Sequence, residues 1–365
     1  MKYIDEFRDR RLIDKVAAEI RKAVDPKRTY NFMEVCGTHT MAIFRFGLKT
    51  ILPRNINLIS GPGCPVCVTP NEFIDKAIVL ARREGVILAT FGDMLKVPGS
   101  HSSLEKERAN GALVKMVYSS MDALDLAKKN PDKEIVFLGI GFETTAPTIA
   151  QSIITAKKEK IKNYSVLCGH KTMPEALKVL TGELGSRIDG FLLPGHVSAI
   201  IGTGPYAFLP KRGKRCVVTG FEPLDILQAI WMLLKQRSPK IDIEYTRIIT
   251  RAGNALARRS MEKVFEAAPS QWRGIGKIKN SGLKIKKGFS EFDAELKFKP
   301  KISQPKEDKA CICGDVIKGA RTPLECKLFG KSCNPEHPVG ACMVSSEGTC
   351  SAYYKYGQTV VGCRL

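Results

Sequence analysis

Two thiols in a loop rich in glycine and proline are the residues of this chain best suited to chemistry. Cys64 and Cys67 form a C-x-x-C in the segment GPGCPVC, directly before a predicted helix. Backbone N–H groups and the dipole at a helix start favour a thiolate and lower the pKa of a thiol. Two thiols at this spacing can form a redox disulfide or chelate one metal ion, and the sequence is compatible with both. Buried core cysteines are the less favoured interpretation, because this loop is too rich in Gly and Pro for a core.

Cys36 lies in a second loop of this kind, CGTHT, at the end of a predicted strand. Gly37 permits close backbone approach, and His39 and its two threonine neighbours are polar groups that a core would not tolerate unpaired. His39 could donate a hydrogen bond to a sulfur ligand or take a proton from it. We therefore favour a functional site at Cys36 and His39 over a core thiol.

Seven further cysteines lie in a C-terminal segment that is poor in other core-forming residues. Four thiolates can hold a metal centre, and the binding energy of that centre can replace a hydrophobic core. Zinc knuckles usually have two C-x2-4-C hooks, whereas this segment has a single C-x-C and otherwise spacings of 7 to 13 residues. This irregular spacing favours a cubane iron–sulfur cluster, with zinc as the alternative and disulfides a remote third. The seven are Cys311, Cys313, Cys326, Cys333, Cys342, Cys350 and Cys363.

The remaining two cysteines carry no such context. Cys168 and Cys216 lie within or at the ends of apolar runs, and we predict that both are core residues, together with His170. For His196, in the segment PGHVS, a core role and a site role are equally favoured.

Short apolar, β-rich runs recur along the chain, and each ends in a glycine-bearing loop that is usually followed by a helical pattern. This alternation is typical of an α/β fold. Ligands of open α/β sheets bind outside the carboxyl ends of the strands, where these loops would lie. The predicted strands are 30–35, 56–60, 86–90, 135–138, 164–167, 188–193, 216–219 and 247–250.

The two halves of the chain resemble one pattern used twice. VCGTHT matches LCGHKT, and SGPGCPVC matches LPGHVS. We therefore predict two similar parallel-sheet α/β lobes that face a cleft, one at residues 25–150 and one at 151–270. A smaller cysteine-rich iron–sulfur domain is predicted at 271–365, where long apolar runs give way to Lys, Pro and Gly. The N-terminal helix, within residues 1–24, is expected to pack on either the first lobe or this domain.

The composition limits the protein's class. With 44% hydrophobic residues in 365, the chain can bury a core without disulfides. No apolar run of about 20 residues and no signal-peptide pattern is present, so we expect a cytoplasmic protein without a membrane segment. The net charge of +21 permits nucleic-acid binding, but basic residues are spread along the chain without a nucleic-acid motif, so we expect none. The basic run at 277–309 is interpreted as a solvated connector, or second as a surface for an acidic partner.

Four motifs together closely resemble the HypD family of [NiFe]-hydrogenase maturation factors, in the same order over essentially the whole chain. They are CGTHT at Cys36, GPGCPVC at Gly61, PGHVS at Pro194 and GACMVSSEGTCSAYYKYG at Gly340. The resemblance implies two related α/β domains and a third that carries a 4Fe–4S cluster. It also implies a complex with a small chaperone, HypC, on which an iron bearing two cyanides and one carbon monoxide, Fe(CN)2CO, is assembled. Cyanide would be delivered through a HypE-type partner.

The same resemblance assigns roles to the cysteines. Cys36 would be the iron-binding thiolate, shared with the N-terminal cysteine of the chaperone, and Cys64 and Cys67 would be the pair that holds or reduces the iron centre. A cluster beside a redox-active pair is similar to ferredoxin:thioredoxin reductase, so electrons are expected to pass from cluster to pair to iron. A free-standing iron–sulfur thiol–disulfide reductase is the alternative function. The cluster ligands that we favour are Cys326, Cys333 and Cys350 with one of Cys311 or Cys313, of which we choose Cys313. Cys342 and the other member of the C-x-C would be spare redox thiols.

Overall fold

The computed structural model of the protein describes residues 2, 4–183 and 187–361. Eleven strands lie in these residues, and nine of them form two parallel sheets, which confirms the predicted α/β class with two lobes. The strands are β1 Tyr30–Glu34, β2 Ile56–Ser60, β3 Val86–Thr90, β4 Val114–Met116, β5 Glu134–Gly139, β6 Tyr164–Cys168, β7 Gly190–Pro194, β8 Arg215–Thr219, β9 Ile241–Ile243, β10 Phe265–Trp272 and β11 Gly276–Ile285.

Sheet A has the strand order β2-β1-β7-β8-β9, and sheet B has the order β4-β3-β5-β6. The chain therefore begins sheet A, builds the whole of sheet B, and then returns to complete sheet A. This topology crosses the predicted lobe boundary at residues 150 and 151. The short motif matches could not reveal it, because strand pairing is decided by contacts between distant segments and not by the loop that follows each strand.

Three further features differ from the predicted elements. Residues 247–250 form no strand, and the edge position beside β8 is taken by β9. β4 was not predicted, since it has only three residues. The antiparallel hairpin of β10 and β11 was also not predicted, and it spans the expected start of the third domain at residue 271.

Helices connect the strands, as expected for parallel sheets. They are α1 Arg10–Ala23, α2 Gly37–Arg45, α3 Leu48–Ile51, α4 Pro65–Val68, α5 Asn71–Ala81, α6 Leu104–Ala109, α7 Ser120–Lys129, α8 Ala146–Lys158, α9 Met173–Glu183, α10 Gly195–Ile201, α11 Phe208–Lys211, α12 Pro223–Lys235, α13 Ala255–Val264, α14 Ala294–Phe298, α15 Cys313–Ile317 and α16 Thr349–Val361. No helix among the described residues is long and apolar enough to cross a membrane.

The N-terminal helix α1 packs on α12 of the sheet A lobe. The Asp9 side chain caps this helix by accepting hydrogen bonds from the backbone N–H groups of its first turn. Ile13 and Ile20 are buried in one cluster with β1, β2 and α12. The apolar face of the helix therefore determines its position.

One large buried cluster joins the two sheets and the C-terminal region. It contains Val35 and Val218 of the sheet A lobe, Leu88 and Leu138 of sheet B, and several C-terminal cysteines. The C-terminal region after residue 286 has few regular elements, and its last helix, α16, packs on α2. The two lobes and the cysteine-rich region thus share one core.

Candidate thiol site

The two predicted thiol loops meet at the carboxyl ends of β1 and β2, which are adjacent parallel strands. The backbone N–H of Gly37 donates a hydrogen bond of 3.0 Å to the carbonyl of Gly63. A Cβ atom on Gly63 would lie 2.3 Å from the backbone nitrogen of Cys36. The loop that carries Cys64 therefore lies directly against the backbone of Cys36, and only glycine fits at this contact.

Substitution of Gly63 by alanine is expected to destabilise the protein by about 1–3 kcal/mol, because the added methyl group forces the two thiol loops apart. Urea denaturation measures this loss. The matched control is Gly204→Ala, since a Cβ at Gly204 meets nothing within 4 Å. We expect the control to remain within about 0.5 kcal/mol of the parent protein, and equal stability of both variants would contradict the close contact.

Cys64 and Cys67 are joined by a disulfide. Before the short helix α4, Cys64 occupies the N-cap position, and its sulfur accepts a hydrogen bond of 3.2 Å from the N–H of Cys67. The two side chains and that of Cys36 are buried, with exposed fractions of 4%, 2% and 7% respectively. The sequence left the redox state of the pair open, and the structure presents its oxidised form.

Buried carboxyl and hydroxyl groups surround the backbone of Cys36. Its N–H donates to Glu34 at 3.3 Å, and the hydroxyl of Thr40 donates to the same carboxyl group. Burial raises the pKa of Glu34 to about 8 and that of the Cys36 thiol to about 12. A free Cys36 is therefore protonated at neutral pH. A cation that binds the sulfur would release this proton, because thiols bind metals as thiolates.

The ring of His39 donates from one nitrogen to a backbone carbonyl, and its Nδ1 has no hydrogen-bond partner among the described residues. Its Nε2 lies 2.9 Å from the carbonyl oxygen of Gly220, at the end of β8, and its ring stacks on Phe221. Since a carbonyl can only accept, Nε2 carries the proton and Nδ1 is an acceptor. Burial lowers the pKa of His39 to about 4, so the ring is neutral. His39 therefore acts in this structure as a neutral group that ties α2 to β8.

The cysteine-rich region closes the site from the other side. The hydroxyl of Thr38 donates to the carboxylate of Glu347, and a Cβ on Gly37 would lie 2.5 Å from the Cβ of Glu347. Ser345 donates a hydrogen bond of 2.7 Å to Asp93, in the loop after β3. The segment between Cys342 and Cys350 thus reaches both lobes beside Cys36. Sequence reasoning missed Glu347, although its place within GACMVSSEGTC was a signal.

Six of the C-terminal cysteines surround one small cavity together with Phe329 and Met343. The neighbouring thiols of Cys313 and Cys350 hold the pKa of the Cys342 thiol well above its usual range. Among the described residues, no three His, Cys, Asp or Glu side chains are close enough to hold a single metal ion. Six thiols around a shared space suit a larger body with several iron atoms better than one zinc ion. The six are Cys311, Cys313, Cys326, Cys333, Cys342 and Cys350; Cys363 lies outside the described residues.

The six cysteines are not equivalent in position. Cys311 and Cys313 also line a second, outer cavity of about 360 Å³, which the other four do not. The remaining four, Cys326, Cys333, Cys342 and Cys350, thus form the inner set. Cys342 borders only the cavity that all six cysteines share, whereas the predicted ligand Cys313 also borders the outer cavity.

The disulfide loop and the cysteine cavity are neighbours. Helix α4 contacts the short 3₁₀ helix Ala341–Met343. Arg273 donates from its backbone N–H to the carbonyl of Val68 at 2.9 Å, and from Nε to the carbonyl of Thr69 at 3.0 Å. The next residue, Gly274, lies against Gly314, which follows Cys313. Residues 273 and 274 therefore connect the end of the C-x-x-C helix to the cysteine cavity.

The two remaining cysteines and His170 and His196 differ in how far they are buried. Cys216 and His170 are buried. Cys168 is half-buried, and its sulfur lies 3.0 Å from the carbonyl oxygen of Leu283 and 3.2 Å from Nδ1 of His170. His196 is exposed and stacks on Phe221 at a ring distance of 3.9 Å, close to His39.

The fold and the site together define a two-sheet α/β protein that brings a lone thiol, a disulfide loop and a cavity of six cysteines together. The chain belongs to the HypD family of hydrogenase maturation factors, since the family model "HypD: Hydrogenase formation hypA family" matches residues 11–357.

Three relatives support the family membership over nearly the whole chain. The hydrogenase maturation factor HypD of Azotobacter vinelandii is 48% identical over 369 residues, which cover 98% of this chain and 97% of that protein. The HypD of Cupriavidus necator is 46% identical over 370 residues and covers 98% of both chains. The HypD of Escherichia coli K12 is 43% identical over 368 residues, with 98% of this chain and 99% of that protein covered. The resemblance stated from the motifs is therefore confirmed.

Proposed function

We propose that this protein, together with a HypC-type small chaperone, is the scaffold on which the Fe(CN)2CO unit of [NiFe]-hydrogenase is assembled. Cys36 would be the iron ligand that this chain supplies, and the chaperone would supply a second thiolate. The observation that carries the proposal is the direct contact between the Cys36 backbone and the disulfide loop of Cys64 and Cys67, where both lobes meet the cysteine-rich region. A HypE-type partner would deliver the cyanide.

The groups around Cys36 suit a low-valent iron. Thiolates are soft ligands that favour such a metal. Cys36 is buried, and its thiol loses its proton when a cation takes the proton's place. Glu34 and Thr40 hold the backbone on one side of Cys36, and Glu347 closes the other. The buried position also limits access of oxygen and water to bound iron. We place this work in the cytoplasm, where thiols stay reduced.

The inner cysteine cavity would hold a 4Fe–4S cluster. Its donor set fits such a group, because several thiols converge on one space that is closed by apolar side chains. The sequence-based ligand set was Cys313, Cys326, Cys333 and Cys350; we propose Cys342 in place of Cys313. When bound, the cluster supplies single electrons. Reduction of the neighbouring Cys64–Cys67 disulfide takes two electrons and two protons and yields two thiols, and a cluster held in the cavity would be placed to supply those electrons one at a time.

Infrared spectroscopy of the anaerobic protein tests the scaffold proposal. Mixed with its HypC-type chaperone and supplied with iron, carbon monoxide and the cyanide-delivering partner, the protein is expected to show cyanide and carbonyl stretching bands. The protein without the chaperone is expected to show weaker bands or none. If the complete mixture shows no bands but the protein turns over a disulfide substrate, the alternative, an iron–sulfur thiol–disulfide reductase, replaces the scaffold proposal.

A further inference from the structure

A groove of about 710 Å³ lies at the amino end of β6, which is an edge strand of sheet B. Its apolar lining consists of Ala156, Ile161, Phe292 and Leu296. Three of these side chains are buried or half-buried, whereas Leu296 is 57% exposed. The groove therefore offers a place where an apolar side chain of another molecule is covered and covers Leu296 in turn.

The groove lies at the end of sheet B opposite to the end that meets the thiol site. Residues 160–162 line the groove and come directly before β6. The strands of sheet B are parallel, so their carboxyl ends lie together at the other end of the sheet. There Asp93, which follows β3, accepts the hydrogen bond from Ser345 beside the thiol site. A molecule bound in the groove would therefore leave the thiol loops uncovered.

Lysines surround the apolar lining of the groove. Four of them line it together with a single carboxylate: Lys157, Lys160, Lys162, Lys297 and Glu291. Lys157 and Lys297 bind neighbouring groups of the protein. Lys160 and Lys162 are exposed and form no ion pair with the described residues. The rim of the groove thus carries a net positive charge that attracts an acidic ligand.

Lys160 has a backbone conformation that favours glycine. It follows the end of α8 with a φ of 56°, in the left-handed region where glycine is the usual residue after a helix. The lysine side chain is present in spite of that preference. Its replacement by glycine therefore removes a charge from the groove without destabilising the fold.

The occupant that fits this groove is acidic and in part apolar. A second copy of the chain is disfavoured, because each copy carries a net charge of +21. Single-stranded nucleic acid binds through exposed rings on which bases stack, whereas the aromatic side chain of the lining, Phe292, is 3% exposed. An acidic protein segment with an apolar side chain matches both the lysines and the exposed Leu296.

We propose that the groove binds an acidic segment of a partner protein, with an apolar side chain of that segment against Leu296 and its carboxylates beside Lys160 and Lys162. Part of this surface belongs to the basic run at 277–309, so the proposal agrees with the interpretation of that run as a surface for an acidic partner. The inference goes beyond the scaffold proposal and does not depend on iron or on the cluster.

Fluorescence anisotropy of the anaerobic full-length protein with three short labelled peptides tests the groove. The first peptide consists of Asp and Glu with one central Leu, the second has Ala in place of that Leu, and the third keeps the Leu but has Asn and Gln in place of the acids. The first is expected to bind about tenfold more tightly than the second, because leucine buries more apolar surface. It is expected to bind at least about tenfold more tightly than the third, which offers the lysines no carboxylate.

The groove variant is Lys160→Gly with Lys162→Ser. It is expected to weaken binding of the first peptide by about tenfold, while the urea midpoint stays unchanged or rises because glycine suits the left-handed backbone. The matched control is Lys299→Gly with Lys301→Ser, which removes two charges at the same spacing. Lys299 also has a positive φ, of 47°, and neither control residue lines the groove. We expect the control to weaken binding less than about twofold.

Leu296→Ser tests the apolar part of the groove separately from its charge. This variant is expected to lose most of the advantage of the leucine peptide over the alanine peptide, whereas Leu256→Ser, at an exposed leucine of α13, is expected to keep it. The proposal is overturned if the first peptide does not bind, if leucine and alanine peptides bind alike, or if the lysine control weakens binding as much as the groove variant. Single-stranded DNA that binds more tightly than the first peptide, and is weakened only by the groove variant, would also overturn it in favour of a nucleic acid.

Discussion

Replacement of Cys36 by alanine is expected to remove the cyanide and carbonyl infrared bands completely, with the chaperone complex otherwise intact. The backbone of Cys36 lies against the disulfide loop and donates to the buried carboxyl group of Glu34, and the half-buried Glu347 lies against the next residue, Gly37. Without its sulfur, the iron loses the one ligand proposed from this chain. The measurement is the integrated band intensity after anaerobic reconstitution of the variant with the chaperone.

Cys216→Ala is the matched control for Cys36→Ala. Cys216 is a buried residue of β8, in the sheet whose strand β1 leads into Cys36, and its thiol donates a long hydrogen bond of 3.6 Å to the carbonyl of Lys214. The control loses a buried sulfur as well, so it reproduces the loss of packing without the loss of an iron ligand. We expect it to retain the bands. Retention of the bands in the Cys36 variant would assign the iron to other residues.

The sequence predicted most of the sheet strands, because their signal is local. Apolar runs that end in glycine loops correspond to seven strands within one or two residues. The run at 247–250 failed for a physical reason: Ile249 is buried, but in a turn region, while β9 forms the ladder with β8. An apolar run reports burial, and burial does not require a strand.

The order of the strands in the two sheets cannot be predicted from the sequence. The two loops with the strongest chemical signal, CGTHT and GPGCPVC, do lie at the carboxyl ends of adjacent parallel strands, as the rule for α/β sheets leads one to expect. The completion of sheet A by β7, β8 and β9 depends on pairing across more than a hundred residues. No pattern within the loops encodes that pairing.

The polar partners of the site were likewise hidden by distance along the chain. Thr38 and Glu347 are far apart in sequence, and so are Arg273 and the C-x-x-C helix. His39 shows that neighbours in sequence can have different partners in the fold. Its type and spacing suggested proton transfer at sulfur, but the carbonyl of Gly220 takes its N–H. A histidine beside a cysteine in sequence need not face that cysteine, because helix α2 directs successive side chains in different directions.

Replacement of Cys342 by serine is expected to remove the iron–sulfur cluster, whereas Cys311→Ser is expected to retain it. Cys342 belongs to the inner set and lines the cavity together with Cys313 and Cys350. Serine is a poor ligand for iron in comparison with a soft thiolate. We expect about four iron and four sulfide per chain in the parent protein and in Cys311→Ser, and less than one of each in Cys342→Ser.

Cys313→Ser decides between the geometric and the sequence-based ligand sets. If the inner set holds the cluster, this variant keeps its iron, its sulfide and the broad visible absorption of a cluster. Loss of iron in Cys313→Ser together with its retention in Cys342→Ser would restore the set Cys313, Cys326, Cys333 and Cys350. A colourless parent protein with one zinc ion would instead exclude a cluster altogether, and electrons for the Cys64–Cys67 pair would then have to arrive directly from a partner.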